Sequence, residues 1–446
     1  MSELQISIVL IVFAVVILAI AFNVIDMAVA ALTGVCILIA LGILDDQDIA
    51  SGFRNAAGTL SLLFGGMVVA RILATTGIFE LLGDIYLHAT GGSGRRFLLL
   101  LIAIVAPLCA FLPNATTVIL LAPIIIRVAL ALETDFVGPM ILTAIVSNSA
   151  GLLTLVGDPA TFLVGSSIGM SFGTYLQRVS LGAVLAMTII VPLLPWLMPQ
   201  VWQLRRTLPP PTRKRRIERP IYAGLALAVL VLMVMLFIFG EDLPTRIVPP
   251  AVAVIASALA LLIAYEVRIE PTENVLRDVD WKTLIFLASI FCLVQAIIKT
   301  GLLQLLALSL YQIFGGGLTL VALAMIAGIG VLSSLLANVP VAAASIVMVK
   351  GYLVAAQVVP ETAMSSHFIQ WPAVSIPVFV AMMFGATLGG NATLIGASAN
   401  IVTAGICARQ GMPVTFMRFL RFGLPVTLCQ LTASALYVLV LTHIMR

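Results

Sequence analysis

The sequence predicts an all-α polytopic membrane protein built from two inverted repeats, each of five crossings and one re-entrant hairpin, with broken helices meeting at the midplane. Three observations carry this. Apolar residues make up 62% of the 446 and charged residues only 9%, with a mean hydropathy of +1.20, a balance that a water-facing surface could not accommodate. Apolar stretches near the length of a membrane span recur along the whole chain. Polar breaks inside those stretches recur at matched spacing.

The elements follow in order. The first stretch, Gln5 to Asn23, has Glu3 before it instead of a basic n-region and no small-residue cleavage site, so it reads as a retained span and not a signal peptide. Further crossings are expected at 26–44 and 58–80. Segment 97–131 is interrupted at Leu112-Pro113-Asn114-Ala115-Thr116-Thr117, leaving halves of about 16 residues that are short for a crossing. It reads as a re-entrant hairpin, the alternative being one kinked helix or two short ones. The crossing at 137–168 is broken by Asn148-Ser149-Ala150-Gly151 and Gly157-Asp158-Pro159. A crossing at 176–203 completes an N-terminal repeat, 1–204. A basic linker, 205–220, leads into a C-terminal repeat, 221–446. This second repeat holds crossings at 221–240, 247–265 and 282–300, then a hairpin at 318–358 interrupted at Ala337-Asn338-Val339-Pro340. A crossing at 372–405 follows, broken at Gly389-Gly390-Asn391-Ala392-Thr393 and Gly396-Ala397-Ser398-Ala399-Asn400, and a last one at 418–443.

The halves resemble one another. Thr59-Leu60-Ser61-Leu62-Leu63 with Thr76-Gly77 matches Thr283-Leu284-Ile285-Phe286-Leu287 with Thr300-Gly301, and Gly77 to Asn114 and Gly301 to Asn338 are each 37 positions. Thr154-Leu155-Val156-Gly157 matches Thr393-Leu394-Ile395-Gly396, the offset having grown from 224 to 239. An odd number of crossings per repeat starts the second half on the opposite side, so the repeats are inverted, the architecture of secondary transporters.

Basic residues orient the chain. The linker carries Arg205, Arg206, Arg213, Lys214, Arg215, Arg216 and Arg219, which makes it cytoplasmic and the membrane the cell inner (plasma) membrane. Arg95, Arg96, Arg268, Arg277, Arg409, Arg418 and Arg421 count to the same side, the opposite loops carry chiefly Arg54 and Arg246, and both termini face outward.

The breaks hold the candidate site. Gly, Pro, Asn and Ser in mid-span free backbone groups that only a protein-lined cavity tolerates. The hairpin tips offer Asn114, Thr116, Thr117 and Asn338, and the broken crossings offer Asn148, Ser149, Thr154, Asn391, Thr393, Ser398 and Asn400. These amides and hydroxyls hydrogen-bond without carrying charge, and helix ends add partial charges, so a neutral polyol-like solute or a small anion suits them. Asp158 is the only carboxylate in a break, and its repeat mate is Ala397. It reads either as a proton or sodium site or as the cap of the helix opened by Pro159.

Other chemistries find no residues. Cys36, Cys109, Cys292, Cys407 and Cys429 are scattered through apolar segments, and His88, His367 and His443 lie far apart, so no metal site, cofactor or zinc centre is expected. No nucleophile–base pair points to a membrane hydrolase, and the charge distribution speaks to orientation, not to nucleic acid. The expected partners are the lipid bilayer, a small inorganic or organic solute and a coupling proton or sodium ion.

The run from Gly389 to Asn400, continued by Ile401-Val402 and Ala404-Gly405-Ile406, resembles the ion transporter superfamily. Within it the chain resembles the arsenite/antimonite permease and NhaD-type sodium/proton antiporter group, which includes the melanosomal P protein. Gly157-Asp158-Pro159, Asn114-Ala115-Thr116-Thr117 and Asn338-Val339-Pro340 match further motifs of that group. The resemblance covers residues 5 to 440. It implies alternating access by a carrier domain moving against a scaffold that commonly forms a homodimer. It also implies export of arsenite or antimonite driven by proton influx, with Asp158 as proton carrier. The alternatives are a sodium-coupled di- or tricarboxylate symporter and a sodium/proton antiporter. Pro113 stands where antiporter-like members carry Asp, and Ala160-Thr161 where members carry Pro-Asn; the dicarboxylate symporters' Ser-Asn-Thr is absent from both tips.

Overall fold

The structure is a computed structural model that describes residues 3–21, 24–207, 217, 219–268, 271–364, 368 and 370–445. The linker residues Arg213, Lys214, Arg215 and Arg216, the end of the first stretch at Asn23, and His367 therefore lie outside the described residues. The first half contains α1 (Glu3–Ala21), α2 (Met27–Ala40), α3 (Asp46–Ala74), α4 (Ile78–Thr90), α5 (Gly94–Cys109), α6 (Asn114–Ala131), α7 (Val137–Ala150), α8 (Pro159–Ser167) and the long segment α9 (Phe172–Leu197). The second contains α10 (Pro220–Phe239), α11 (Pro249–Val267), α12 (Thr272–Arg277), α13 (Trp281–Lys299), α14 (Leu302–Phe314), α15 (Leu318–Leu335), α16 (Asn338–Ala355), α17 (Ile376–Gly389), α18 (Ser398–Arg409) and α19 (Phe416–Ile444). Among the described residues, 10 helical segments are long and apolar enough to cross a membrane, and α6, α15 and α16, arms of the two hairpins, are among them. The broken spans fall below that length because each is split, α7 from α8 and α17 from α18.

The repeat is visible down to single hydrogen bonds. Gly77 and Gly301 both take left-handed backbone, at φ 78° and 74°, which glycine adopts without strain. Before each, a threonine hydroxyl donates back into the preceding helix: Thr76 Oγ1 to the Leu73 carbonyl at 2.6 Å, and Thr300 Oγ1 to the Ile297 carbonyl at 2.7 Å. The helices that follow, α4 and α14, do not figure among the expected elements. They have 13 residues each, too few for a crossing, so a search for span-length apolar runs passes over them. The third crossing is also longer than expected. Helix α3 starts at Asp46 and not near 58, because Asp45 and Asp48 form a reciprocal capping box, each carboxylate accepting from the other's backbone N–H at 2.9 Å.

The halves interlock. Helix α3 packs on α11 and α13, and α2 on α13. Hairpin α5–α6 packs on α7 and, through α6, on α18 of the other half; α16 of the second hairpin packs on α8 of the first. Small residues permit this: a side chain on Gly389 would meet the Gly330 carbonyl at 2.3 Å, so α15 and α17 touch backbone to backbone. Ion pairs agree with the inverted topology. Asp26–Lys282, Asp278–Arg71, Asp84–Arg127, Glu133–Arg206 and Asp135–Arg418 each join residues that the span order puts on the linker side, and Lys299 with Asp45 and Asp48 joins residues on the other.

Candidate functional site

Two local designs create the site. Pro113 and Ala337, in extended backbone, end the hairpin turns, so α6 and α16 begin with Asn114 and Asn338 in their first turns. At the broken spans the chain leaves α7 and α17 through an irregular loop and re-enters helix at Pro159 and Ser398. Asp158 is the N-cap of α8, its Oδ2 accepting from Ala160 N at 3.1 Å, and Pro159 at the first helical position needs no acceptor for the N–H it lacks. Ala397 occupies the same position before α18 with the same extended backbone (φ −145°, ψ 148°, against −134°, 136°) but gives no side-chain cap. Each loop is tied to its own hairpin by matched bonds, Thr154 Oγ1 to the Ala110 carbonyl and Thr393 Oγ1 to the Ser334 carbonyl. Glycine is required in both loops: a Cβ on Gly157 would lie 2.8 Å from the Cys109 and Gly151 carbonyl oxygens, and one on Gly396 would lie 2.6 Å from the Gly390 carbonyl oxygen.

The four breaks converge on Asp158, which is 1% exposed. Asn114 Nδ2 donates to its Oδ1 at 3.2 Å, and Asn338 Nδ2 donates to Oδ1 and Oδ2 at 3.1 and 3.4 Å. Thr387 Oγ1 lies 3.5 Å from Oδ2. One carboxylate thus gathers an amide from each hairpin, a hydroxyl from α17 and a backbone N–H of α8. A second layer sits behind it. Asn148 Nδ2 donates to the Thr387 carbonyl at 2.7 Å and to Asn391 Oδ1 at 3.0 Å. Asn391 Nδ2 donates to Ser149 Oγ and to Gln430 Oε1, both at 2.9 Å, and Gln430 Nε2 donates to Ser149 Oγ at 2.9 Å and to the Ala186 carbonyl at 3.1 Å. All of these links but Asn391 to Gln430 join one half to the other.

Asn114, Asn148, Ser149, Asn338, Asn391 and Asp158 are therefore brought together. Ser398 joins Asp158, Asn114, Asn148 and Asn338 around a cavity of about 70 Å³. Thr393 and Asn400 are close by but bond backbone: Asn400 Nδ2 donates to the Gly390 and Thr393 carbonyls at 2.9 and 2.8 Å, stapling the loop. Thr116 and Thr117 of the expected set form no bond into this network. With α6 starting at Asn114, Thr116 turns to the far side of the helix and is half-buried with no bond into the network, and Thr117 is buried with its hydroxyl beside the Cys109 thiol of α5. The sequence reading missed Thr387 and Gln430. Thr387 is the repeat mate of Asn148 at the 239 offset, a signal available in the sequence. Gln430 is the one amide in a span whose other mid-span polar residues are hydroxyls, Thr427, Thr432 and Ser434, which by itself names no partner.

The cavity around Asp158 contains no basic side chain; besides Asp158 its polar lining is Asn114, Asn148, Asn338, Ser398, Thr283 and Asp280. An ionised carboxylate here is supported only by hydrogen-bond donors, and one acceptor beside it, Asn114 Oδ1, is buried without a partner. Chemically, an anion alone would meet the carboxylates of Asp158 and Asp280, while the free acceptor atoms suit a donor or a positive guest.

Comparison with known proteins gives the same class. The family model described as citrate transporter (CitMHS) matches residues 9–368. An uncharacterized transporter of Synechocystis sp. is 43% identical over 432 residues, covering 96% of this chain and 95% of the relative. An uncharacterized transporter of Mycobacterium tuberculosis is 30% identical over 416 residues, covering 91% and 92%. The human P protein is 26% identical over 98% of this chain and 60% of its own length. Among solved structures, the YdaH transporter of Alcanivorax borkumensis, whose report describes an unusual topology, aligns with a TM-score of 0.57 at 11% identity, covering 96% of this chain and 98% of that one.

Proposed function

The chain belongs to the citrate transporter family, a multi-pass membrane transporter, and from that membership we propose that it is a secondary carrier coupling a cation to a small carboxylate solute by alternating access. The observation that carries the coupling is the meeting of both hairpin-tip amides on the one buried carboxylate, Asp158. With Asp158 ionised, a carboxylate solute meets a like charge in a poorly hydrated cavity; with Asp158 holding a sodium ion or a proton, that repulsion is removed. Conversely, a cation bound alone disturbs the four donors already satisfying the carboxylate. Solute and cation each favour the other's binding, and this reciprocity is what a symporter needs. In this reading the hairpins and broken helices α5–α8 and α15–α18 form the moving part and α1–α3 with α10, α11 and α13 the scaffold. The domain limits are 1–204 and 221–446, and the linker 205–219 faces the cytoplasm.

A second reading, export of arsenite or antimonite driven by proton influx, is favoured by the size of the site and its amides and hydroxyls. About 70 Å³ lined by Asn114, Asn148, Asn338, Ser398 and Thr283 beside Asp158 and Asp280 holds a few water-sized groups, and a neutral trihydroxy acid satisfies such donors and acceptors. The experiment is uptake of labelled citrate and succinate into proteoliposomes under imposed sodium or proton gradients, beside arsenite tolerance in cells lacking arsenic export. Gradient-driven carboxylate uptake with no arsenite phenotype supports the first reading. Arsenite tolerance without carboxylate uptake replaces it with the second.

A further inference from the structure

On the face opposite the basic linker a separate cavity of about 510 Å³ opens between α3, α8, α13 and α16, within the size range of small-molecule sites. Its polar lining includes Arg54, Asn55, Ser167, Gln295, Gln304 and Lys350, and no acidic side chain lines it. Lys350 is 6% exposed, and the only described partner of its ammonium is the ring of Trp371, 5.3 Å from the centroid. Among the described residues the exposed Arg54 forms no ion pair or hydrogen bond through its guanidinium either. A cation–π contact supplies none of the acceptors that three buried N–H donors require, and a buried charge left so is costly. The acceptors must come from what enters the cavity.

We propose that this cavity is an anion-binding vestibule which captures a di- or tricarboxylate between Arg54 and Lys350 before it reaches the central site. The position fits: Phe162 belongs to the wall of this cavity and, with Asp158 and Pro159, to the small void below it, and Gly58 of α3 approaches so closely that a Cβ there would lie 2.9 Å from the Phe162 ring. Phe162 thus separates the two compartments. Two cations with no counter-ion among the described residues give the vestibule a positive field that raises the local concentration of anions. The inference rests on the proposed carboxylate reading for its ligand and is separable from it in the test.

The test uses the full chain in nanodiscs with Trp196, Trp202 and Trp281 replaced by Phe, so that Trp371 is the only tryptophan. Titration with citrate shifts Trp371 fluorescence, and the shift persists in Asp158→Asn. Lys350→Met and Arg54→Gln each weaken it about tenfold, the worth of one charge-assisted hydrogen bond, and Lys350→Arg restores it. In otherwise native chains the same two substitutions raise KM for uptake with unchanged maximal rate and flatten its dependence on ionic strength. No response of Trp371 to millimolar citrate, a response of equal size to inorganic phosphate or to glycerol, or a response indifferent to Lys350→Met overturns the proposal. If the transported solute is not a carboxylate, native uptake fails while the Trp371 titration still reports on the vestibule.

Discussion

Replacing Asp158 by Asn separates its two possible roles. As a helix cap the residue is interchangeable, since Asn and Asp rank together at N-cap positions. The shape is conserved, and the Asn114 and Asn338 amides can turn to present oxygens to the new amide. As a cation site it is not interchangeable. At an effective dielectric near 20, a monovalent cation about 4 Å from a carboxylate is held by about 4 kcal/mol, a factor of roughly a thousand in affinity. Removing the charge also removes the cost of burying it at 1% exposure, several kcal/mol before its hydrogen bonds are counted. The two effects have opposite signs, so Asp158→Asn is expected to melt at the same temperature as the native protein or above it. Gradient-driven uptake is expected to fall at least a hundredfold. Thermal melting in detergent and proteoliposome uptake at saturating solute measure both on one preparation. Uptake within threefold of native, with the native dependence on sodium or pH, would reduce Asp158 to a cap and remove the coupling argument.

Other outcomes follow from the same geometry. Gly396→Ala puts a methyl 2.6 Å from the Gly390 carbonyl oxygen, forcing the loop apart at a cost of about 1–3 kcal/mol; a lowered melting temperature with reduced uptake is expected, and an unchanged melting curve refutes the close approach. Gln430→Leu removes three hydrogen bonds, worth about 0.6 kcal/mol each between membrane helices, so reversible unfolding in bicelles should lose about 2 kcal/mol while KM stays within twofold. Ala397→Asp places a second carboxylate at a vacant cap facing the same cavity; either uptake is lost or its cation dependence steepens toward two ions, and an unchanged cation titration counts against the equivalence of the two caps.

The site was legible where polar residues interrupt apolar sequence. Asn114, Asn148, Asn338, Asn391 and Asp158 stand out because nothing in lipid would satisfy them, and the equal spacing of Gly77–Asn114 and Gly301–Asn338 announces the repeat. Helical phase was less legible. Thr116 and Thr117 share a motif with Asn114, yet once α6 begins at Asn114 Thr116 leaves its face, while Thr117, one turn on, packs its hydroxyl beside Cys109 of α5; only the helix start decides that. Helices α4 and α14 escape a search for crossings because each is only 13 residues long. Gln430 escapes because its partners Asn391 and Ser149 lie 39 and 281 positions away, and no local rule connects them. The same holds for the crossed packing of α6 on α18 and α16 on α8, which is what turns four separate breaks into one site.

The asymmetry inside this symmetric frame bears on how one site can serve both faces. The two loops share backbone angles, threonine ties and glycine contacts, but only one cap is an acid. A further acid at that cap would join Asp158 and Asp280, the two carboxylates that already line this small cavity, and like charges held apart from water cannot all stay ionised. No acid would leave the hairpin amides without a charged acceptor. A single carboxylate bonded by both tips lets either hairpin withdraw while the other still holds it: losing Asn338 leaves Asn114, Thr387 and Ala160 N, and losing Asn114 leaves Asn338, Thr387 and Ala160 N. The ionised form is thus supported by nearly the same number of donors whichever side is open. In the proposed reading, a cation that takes the place of the missing amide stabilises the ionised form again, so that occupancy and closure favour one another from either face.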